Sequence, residues 1–298
     1  MATEPGNAGA LQKAVQEFWH EKPCDSDTSD KTLYSLEHLS DIEGQRYSLQ
    51  SHIRDLLDSV DFAGKQVLEI GTGVGTDARA IISGGGRYHG INVDAGSSDA
   101  TRRAIEAFGL SGDVRQASAL QIPFSDNTFD IVYSFGVLHH IPEVGRAIDE
   151  IRRVLKPGGL LVLMLYNKPS INYQIEIRRL RKWGLRLIGL PGLLRLFGAV
   201  GLPEAKLQRH LELRRKLGQM SDEEWLSRNT DGPDNPYSRV YDEAETRALL
   251  TGFTDIRQEV RFFDYRHWGP IGRILPAGVR QYLGDRWGWH RIVRARRA

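Results

Sequence analysis

From Lys65 onward the chain alternates short apolar runs with stretches of helical period. Gln66–Ile70 reads as a buried strand, Asp77–Ser83 as a helix and Tyr88–Val93 as a second strand. Ser97–Phe108 reads as a helix, Asp113–Ala117 as a short strand, and Phe129–Ser134 as another strand after the turn SDNT. A helix from about Glu143 to Leu155 sets Ala147, Ile148, Ile151 and Leu155 at core-facing spacing. It stops at KPGG, because Pro157 cannot continue the ladder and the glycines accept positive φ. Leu160–Tyr166, LLVLMLY, is then a continuous apolar strand. Uninterrupted apolar runs separated by helices imply a parallel sheet covered on both faces, a doubly wound α/β fold.

The rhythm is absent at both ends. Residues 1–62 read as helices, notably around Glu43–Val60. After Tyr166 comes a basic, leucine-rich helical stretch and then the polar loop RNTDGPDNPYSR. YDEAETRALLTGF restores the pattern, with Asp242 and Glu245 as a D-x-x-E helix start and Gly252 as its stop. Thr254–Phe263 and the C-terminal WHRIVRAR alternate as strands do. The expected division is a helical extension over 1–62, a core over 63–166, a cap insertion over 167–240 and a C-terminal part of the core over 241–298. A second insertion falls near 264–286. Such additions cap a site on the carboxyl ends of the strands.

Composition narrows the function classes. The 298 residues are 40% hydrophobic with a net charge of +2, so charge makes no case for nucleic acid. Cys24 is the only cysteine, which excludes an intramolecular disulfide and a cysteine-built metal site. No metal is expected. The polar start MATEPGNAGA has no signal-peptide core, so a cytoplasmic location is expected. IRRLRKWGLRLIGLPGLLRLFGAVG sets Arg178, Arg179, Arg181, Lys182, Arg186 and Arg195 among leucines. Charge and Pro191 interrupt it too often for a membrane span. It reads either as a cap helix pair or as a peripheral membrane contact.

The densest chemical signal is VLEIGTGVGTDARA, Val67–Ala80. Gly71, Gly73 and Gly75 give G-x-G-x-G, whose last glycine comes one residue early for the dinucleotide fingerprint. Glu69, just before the loop, would repel a pyrophosphate and suit a cationic amine. No P-loop lysine follows.

Residues 65–166, through VLEIGTGVGTD, GDVRQASALQIPFSDNTFDIVYSFGVLHHIP and EIRRVLKPGGLLVLMLYN, resemble the class I S-adenosylmethionine-dependent methyltransferases of the type 11 group. FWHEKPC, EGQRYSLQSHI, NPYSRVYDEAE and WGWHRIVRAR are similar to a narrower bacterial subgroup in which N-terminal helices close over the cofactor. The resemblance implies a Rossmann-like, seven-stranded, mostly parallel sheet and S-adenosylmethionine as cofactor. It implies that Glu69, Gly71, Thr72, Gly73, Gly75 and Thr76 hold the methionine and ribose portion of the cofactor, with Thr76 and Asp77 also capping the following helix. Asn92 and Val93 would face the ribose, and Ser118, Ala119 and Leu120 the adenine. Ser134, Phe135 and Gly136 would wall the sulfonium, and Arg46 and Tyr47 would reach the cofactor carboxylate. Cys24 sits either in a plain turn or near the cofactor. Two positions depart from the family pattern: Asn92 stands where an acidic residue holds both ribose hydroxyls, and Ser118 where an aspartate precedes alanine. Together they imply weaker or different adenosine binding.

Methyl transfer from a sulfonium is an in-line displacement, and a base is needed only if the acceptor must lose a proton. His139 is the candidate base, and His140 is placed on the acceptor side. Acceptor contacts are expected from Tyr166, Asn167 and Tyr173 at the entrance of the insertion, Tyr237 and Tyr241 at its exit, and Tyr265 and His267 in RFFDYRHWG. Rings with polar tips suit a partly apolar, hydroxylated small molecule. The expectation is a small-molecule methyltransferase, oxygen favoured, acting as a monomer or homodimer. The alternatives are a quinone or lipid methyltransferase docking at the bilayer, or a catalytically silent cofactor-binding protein.

Overall fold

The computed structural model describes residues 5–21, 30–188, 220–231 and 235–298, together with residues 211, 215 and 218. Three helices, α1 (Pro5–Glu21), α2 (Leu36–Leu49) and α3 (Ser51–Asp58), precede the first strand. Then come β1 (Gln66–Ile70), α4 (Thr76–Ser83), β2 (Arg87–Asn92), α5 (Ala95–Ala107), β3 (Asp113–Gln116) and β4 (Phe129–Phe135). A 3-10 turn, Leu138–His140, leads to α6 (Val144–Val154) and β5 (Leu155–Asn167). A π-helix, Asn172–Arg181, runs into α7 (Lys182–Ile188). The rest comprises α8 (Asp222–Ser227), β6 (Val240–Tyr241), α9 (Glu243–Leu249), β7 (Phe253–Arg261), a 3-10 turn Tyr265–Trp268, α10 (Gly269–Ile274), α11 (Ala277–Trp287) and β8 (His290–Arg297). Cys24, Pro191 and Arg195 lie outside the described residues.

The sheet order is β3-β2-β1-β4-β5-β8-β7, with β8 antiparallel to both neighbours. The sheet has eight strands where seven are expected: β6 pairs in parallel with the end of β5, off this order. Alternation along the strands sorts side chains onto two faces. Val67, Ile131, Tyr133 and Val162 pack with Ile53, Leu56, Ile81 and Ile105 of the α3–α5 side. Leu68, Ile70, Val132, Leu161 and Leu163 pack with Ala147, Ile148 and Ile151 of α6. Both faces are therefore dry, which is why these strands read as unbroken apolar runs. The D-x-x-E start of α9 is a complete capping box: Asp242 accepts from the Glu245 amide and Glu245 from the Asp242 amide, each at 2.9 Å.

Strand order reverses between β1 and β4, so the loops leaving those two strands diverge and leave a crevice at their carboxyl ends. The helical extension and the residues before β6 close over that crevice.

Candidate functional site

Three left-handed glycines turn the loop from β1 to α4: Gly71 (φ 80°), Gly73 (54°) and Gly75 (79°). Gly71 has a second constraint, because a Cβ there would lie 2.1 Å from Cγ2 of Val137 in the loop after β4. Gly75 is itself the N-cap of α4, and no side chain caps this helix. The expected caps therefore do other things. Thr76 Oγ1 is buried in the wall with no hydrogen-bond partner. Asp77 is a hub, accepting from Arg46 Nη2 at 3.1 Å, Tyr47 Oη at 3.1 Å and Tyr133 Oη at 2.9 Å.

The crevice holds a cavity of about 290 Å³. Of the residues expected to hold a cofactor, Glu69, Gly71, Thr72, Gly73 and Thr76 line it from the glycine loop, and Arg46 from α2. Asn92, Val93, Ser118 and Ala119 line it from beyond β2 and β3, and Phe135 and Gly136 from β4. Gly75, Leu120, Ser134 and Tyr47 are outside the lining. Ser134 Oγ donates to the Ile70 carbonyl at 3.2 Å, tying β4 to β1. Leu120 packs on the α6 face of the core, and Tyr47 acts through Asp77.

Glu69 is buried with the Tyr88 hydroxyl donating to it at 2.5 Å. Burial, with Asp77 nearby, pushes its carboxyl up to about 8. A cationic group beside Glu69 would reverse that, so this wall is suited to an ammonium. Asn92 is committed to the loop. Its Oδ1 accepts from the Thr72 amide at 3.0 Å, which turns Nδ2 toward Thr72 Oγ1 at 2.5 Å. Thr72 Oγ1 lies 2.5 Å from Thr101 Oγ1, which donates to the Gly73 carbonyl at 3.1 Å. With Thr101 donating to a carbonyl and Asn92 donating to Thr72, the hydrogens must run one way, from Asn92 to Gly73. Asp94 lines the cavity while capping α5, accepting from Ser97 N at 2.7 Å.

At the other end His139 is not in the lining. Its ring is fully buried against Tyr166, centroids 3.7 Å apart. Neither of its nitrogens meets hydrogen-bond geometry with any partner, the Met164 backbone included. Burial holds it neutral, well below the ordinary histidine range. The lining histidine of this pair is His140, with Nδ1 at 2.9 Å from the Tyr237 carbonyl and Nε2 at 3.5 Å from Asp231 Oδ2. Tyr166 also lines the cavity and donates to Asp231 Oδ1 at 2.8 Å.

The other expected acceptor contacts are elsewhere. Asn167 is buried between the Gly288 carbonyl and Arg291, at 2.7 Å from each. Tyr173 and Tyr241 are in the core, and Tyr237 meets the site only through its backbone. Tyr265 stacks under Arg280, and His267 faces Glu176 at 3.5 Å. Sequence reasoning missed Trp19, Asp231, Met164 and His290, all of which line the cavity. Asp231 fell within a loop that has no periodicity to read, and Trp19 was legible only through the resemblance of FWHEKPC. His290 pairs with His52, Nδ1 to Nε2 at 2.9 Å. Burial and nearby cations hold His52 at about 3, and burial holds His290 well below the usual range, so both imidazoles are neutral. Among the described residues no three His, Cys, Asp or Glu side chains converge as a metal site requires.

Residues 68–163 match the family described as a methyltransferase domain. This segment is a class I methyltransferase domain of the type 11 group. The cofactor of the domain is S-adenosylmethionine. Over 123 residues the chain is 36% identical to a sterol 24-C-methyltransferase of Gibberella zeae, covering 40% of this chain and 32% of that one. It is 34% identical over 114 residues to a demethylmenaquinone methyltransferase of Clavibacter sepedonicus, covering 37% and 44%. The chain thus spans a third to under half of the length of these relatives. The solved structure of magnesium protoporphyrin IX methyltransferase from Synechocystis PCC 6803, with bound SAH, shares the fold at a TM-score of 0.54 and 15% identity, covering 97% of this chain and all of that one. The matched segment ends before Asp231, so the end of the cavity opposite the glycine loop is built partly by residues outside it.

Three features of the chain fit the cofactor. The buried Glu69 carboxylate and the Arg46 guanidinium can take an ammonium and a carboxylate. The buried Thr76 Oγ1 has a donor and acceptor to offer. The other end offers aromatic rings and the neutral His290 imidazole, which do not repel a sulfonium.

Proposed function

We propose that this chain transfers a methyl group from S-adenosylmethionine to a small molecule with a large apolar part, and that the atom methylated is a hydroxyl oxygen. The observation that carries the reading is the cavity itself. One end joins a glycine turn to a desolvated carboxylate, and the other is walled by Trp19, Phe135, Met164 and Tyr166 around the polar group of Asp231 and His140. The two relatives named above act, by their names, on a sterol and on demethylmenaquinone, both largely apolar, which agrees with those walls.

When bound, the cofactor supplies an activated methyl carbon on a sulfonium. Glu69 would hold its ammonium and Arg46 its carboxylate, and Thr76 Oγ1, buried without a partner in the same lining, would be available to it. Asn92 acts indirectly, by locking the glycine loop through Thr72. Asp231 is the group positioned to accept the proton of an acceptor hydroxyl. The Tyr166 hydroxyl holds one of its oxygens, and His140 stands beside the other. The His140 Nδ1 lies between the Tyr237 carbonyl and the Ser238 hydroxyl, at 2.9 and 3.0 Å, which orients the ring with Nε2 toward Asp231. Proton removal of this kind contributes typically about 10²- to 10⁴-fold. His139, buried behind Tyr166, serves to hold that ring in place.

Titration calorimetry with S-adenosylhomocysteine, with NAD as control, tests the cofactor half of the reading. One-site binding of the first alone is expected, and binding of neither removes it. Methyl release from labelled S-adenosylmethionine across a panel of hydroxylated apolar acceptors tests the other half.

A further inference from the structure

We infer that the face formed by the π-helix, α7, α10 and α11 docks on an anionic lipid bilayer. Eight of the eleven large hydrophobic side chains exposed among the described residues lie on these elements. The most exposed are Ile274 (78%), Ile271 (67%), Trp183 (61%) and Tyr282 (61%). The elements are stitched together. Asn172 Nδ2 donates to the Asp264 carbonyl at 3.2 Å, Arg181 reaches His267 at 3.5 Å, and the Arg280 guanidinium sits 4.3 Å over the Tyr265 ring.

Charge selects the partner. Residues 174–188 and 264–287 hold nine lysines and arginines against three carboxylates, and Asp222 of α8 joins them by pairing with Arg178 and Lys182, which leaves an excess of five in a chain whose net charge is +2. The three carboxylates are already paired: Glu176 with Arg181, Asp264 with Arg266 and Asp285 with Arg261. Arg179, Arg186 and Arg273 have no carboxylate partner among the described residues. A second copy of this chain would set like charge against like across a two-fold axis. An anionic membrane is complementary, and tryptophan, tyrosine and isoleucine beside arginine suit its interfacial zone. No helix among the described residues is long and apolar enough to cross a membrane, so the contact is peripheral. The face also adjoins the acceptor end of the cavity, because Arg181 Nη1 donates to the Asn229 carbonyl at 2.5 Å, two residues before Asp231.

The test is co-sedimentation of the full chain with vesicles of phosphatidylcholine, with and without phosphatidylglycerol. Binding is expected only to the anionic vesicles, and should fall at least about ten-fold at ~1 M salt, where screening shortens to about 3 Å. Each basic side chain near such a surface contributes a factor of about five. The triple variant Arg179→Glu, Arg186→Glu, Arg273→Glu should therefore bind at least about 100-fold more weakly. Ile271→Asp with Ile274→Asp should lose about ten-fold or more. Leu33→Asp with Leu36→Asp, exposed elsewhere, should bind as the native chain does. All variants should keep the native melting temperature and affinity for S-adenosylhomocysteine. The inference is overturned by no vesicle binding, by equal binding to neutral vesicles, or by face variants that bind like the Leu33/Leu36 control. Because binding is read without turnover, these results stand apart from the fate of the methyl-transfer reading.

Discussion

The two ends of the cavity are built by different means. The end at the glycine loop comes from consecutive strand ends, where backbone conformation and a few short side chains do the positioning. The acceptor end is assembled from α1, β4, β5, β8 and the segment before β6, which meet only through tertiary packing. The first end is fixed by local rules that any chain of this topology must obey. The second is held by side-chain contacts spanning 65 to 98 positions, such as Tyr166 with Asp231 and His140 with Ser238. Changes at the two ends should therefore fail differently.

The largest effect is expected at Gly71. Valine there would meet both an unfavourable φ of 80° and Val137 Cγ2, and the left-handed backbone alone costs roughly 1–2 kcal/mol. Gly71→Val should abolish S-adenosylhomocysteine binding, by more than about 100-fold, and lower the melting temperature. Calorimetry and thermal unfolding read the two separately. Native affinity would show that the ligand does not use this loop.

Asp231→Asn should do the opposite, lowering turnover by about 10²-fold or more while leaving S-adenosylhomocysteine affinity within about three-fold. His139→Ala should not reproduce that kinetic split, because its ring is outside the cavity. Single-turnover rates with an acceptor found by screening decide the matter. An unchanged rate in Asp231→Asn would leave alignment alone to drive the reaction.

The same division governs what could be read from the chain. Strand identity, the α9 capping box and the position of the glycine loop follow from periodicity and turn chemistry within a dozen residues. Asn92 and Ser118 were visible as departures, although the reason for Asn92 was not, since Thr101 lies on another helix. At the acceptor end, aromatic residues near the insertion were expected to converge, yet only Tyr166 and His140 of that set reach the cavity. Tyr173 and Tyr241 satisfy the core instead. Composition cannot distinguish a ring that faces a ligand from one that faces the interior.

A smaller and graded effect is expected with pH. Without ligand the Glu69 carboxyl titrates at about 8, and an ammonium beside it favours the ionised form. Below pH 8, binding must therefore expel a proton, so affinity should rise with pH by up to about ten-fold per unit and level off above 8. A carboxyl raised in the folded state also makes the free protein less stable as pH climbs from the ordinary carboxyl range toward 8, and the ligand should offset that loss. Calorimetry in two buffers of different ionisation enthalpy measures the proton directly. An affinity flat over this window, with no proton released, would place the ammonium away from Glu69.

The smallest effect tests how the glycine-loop end is locked, at Asn92. The family's acidic residue could be restored by Asn92→Asp, and a ribose contact alone would predict tighter binding. The hydrogen-bond chain argues otherwise. Asn92 Nδ2 is the only donor at its head, and Thr72 Oγ1, Thr101 Oγ1 and the Gly73 carbonyl follow in one direction. An aspartate would take the Thr72 hydrogen for itself, leaving two hydroxyl oxygens 2.5 Å apart with no hydrogen between them, because Thr101 already donates to Gly73. Losing one buried bond of this kind costs about 1–3 kcal/mol. Asn92→Asp should lower the melting temperature and leave cofactor affinity unchanged or weakened by up to about ten-fold. Asn92→Asp with Thr101→Val removes the competing oxygen and should recover part of the lost stability. Tighter binding in the single variant, at undiminished stability, would mean that Asn92 faces the ligand and not the loop.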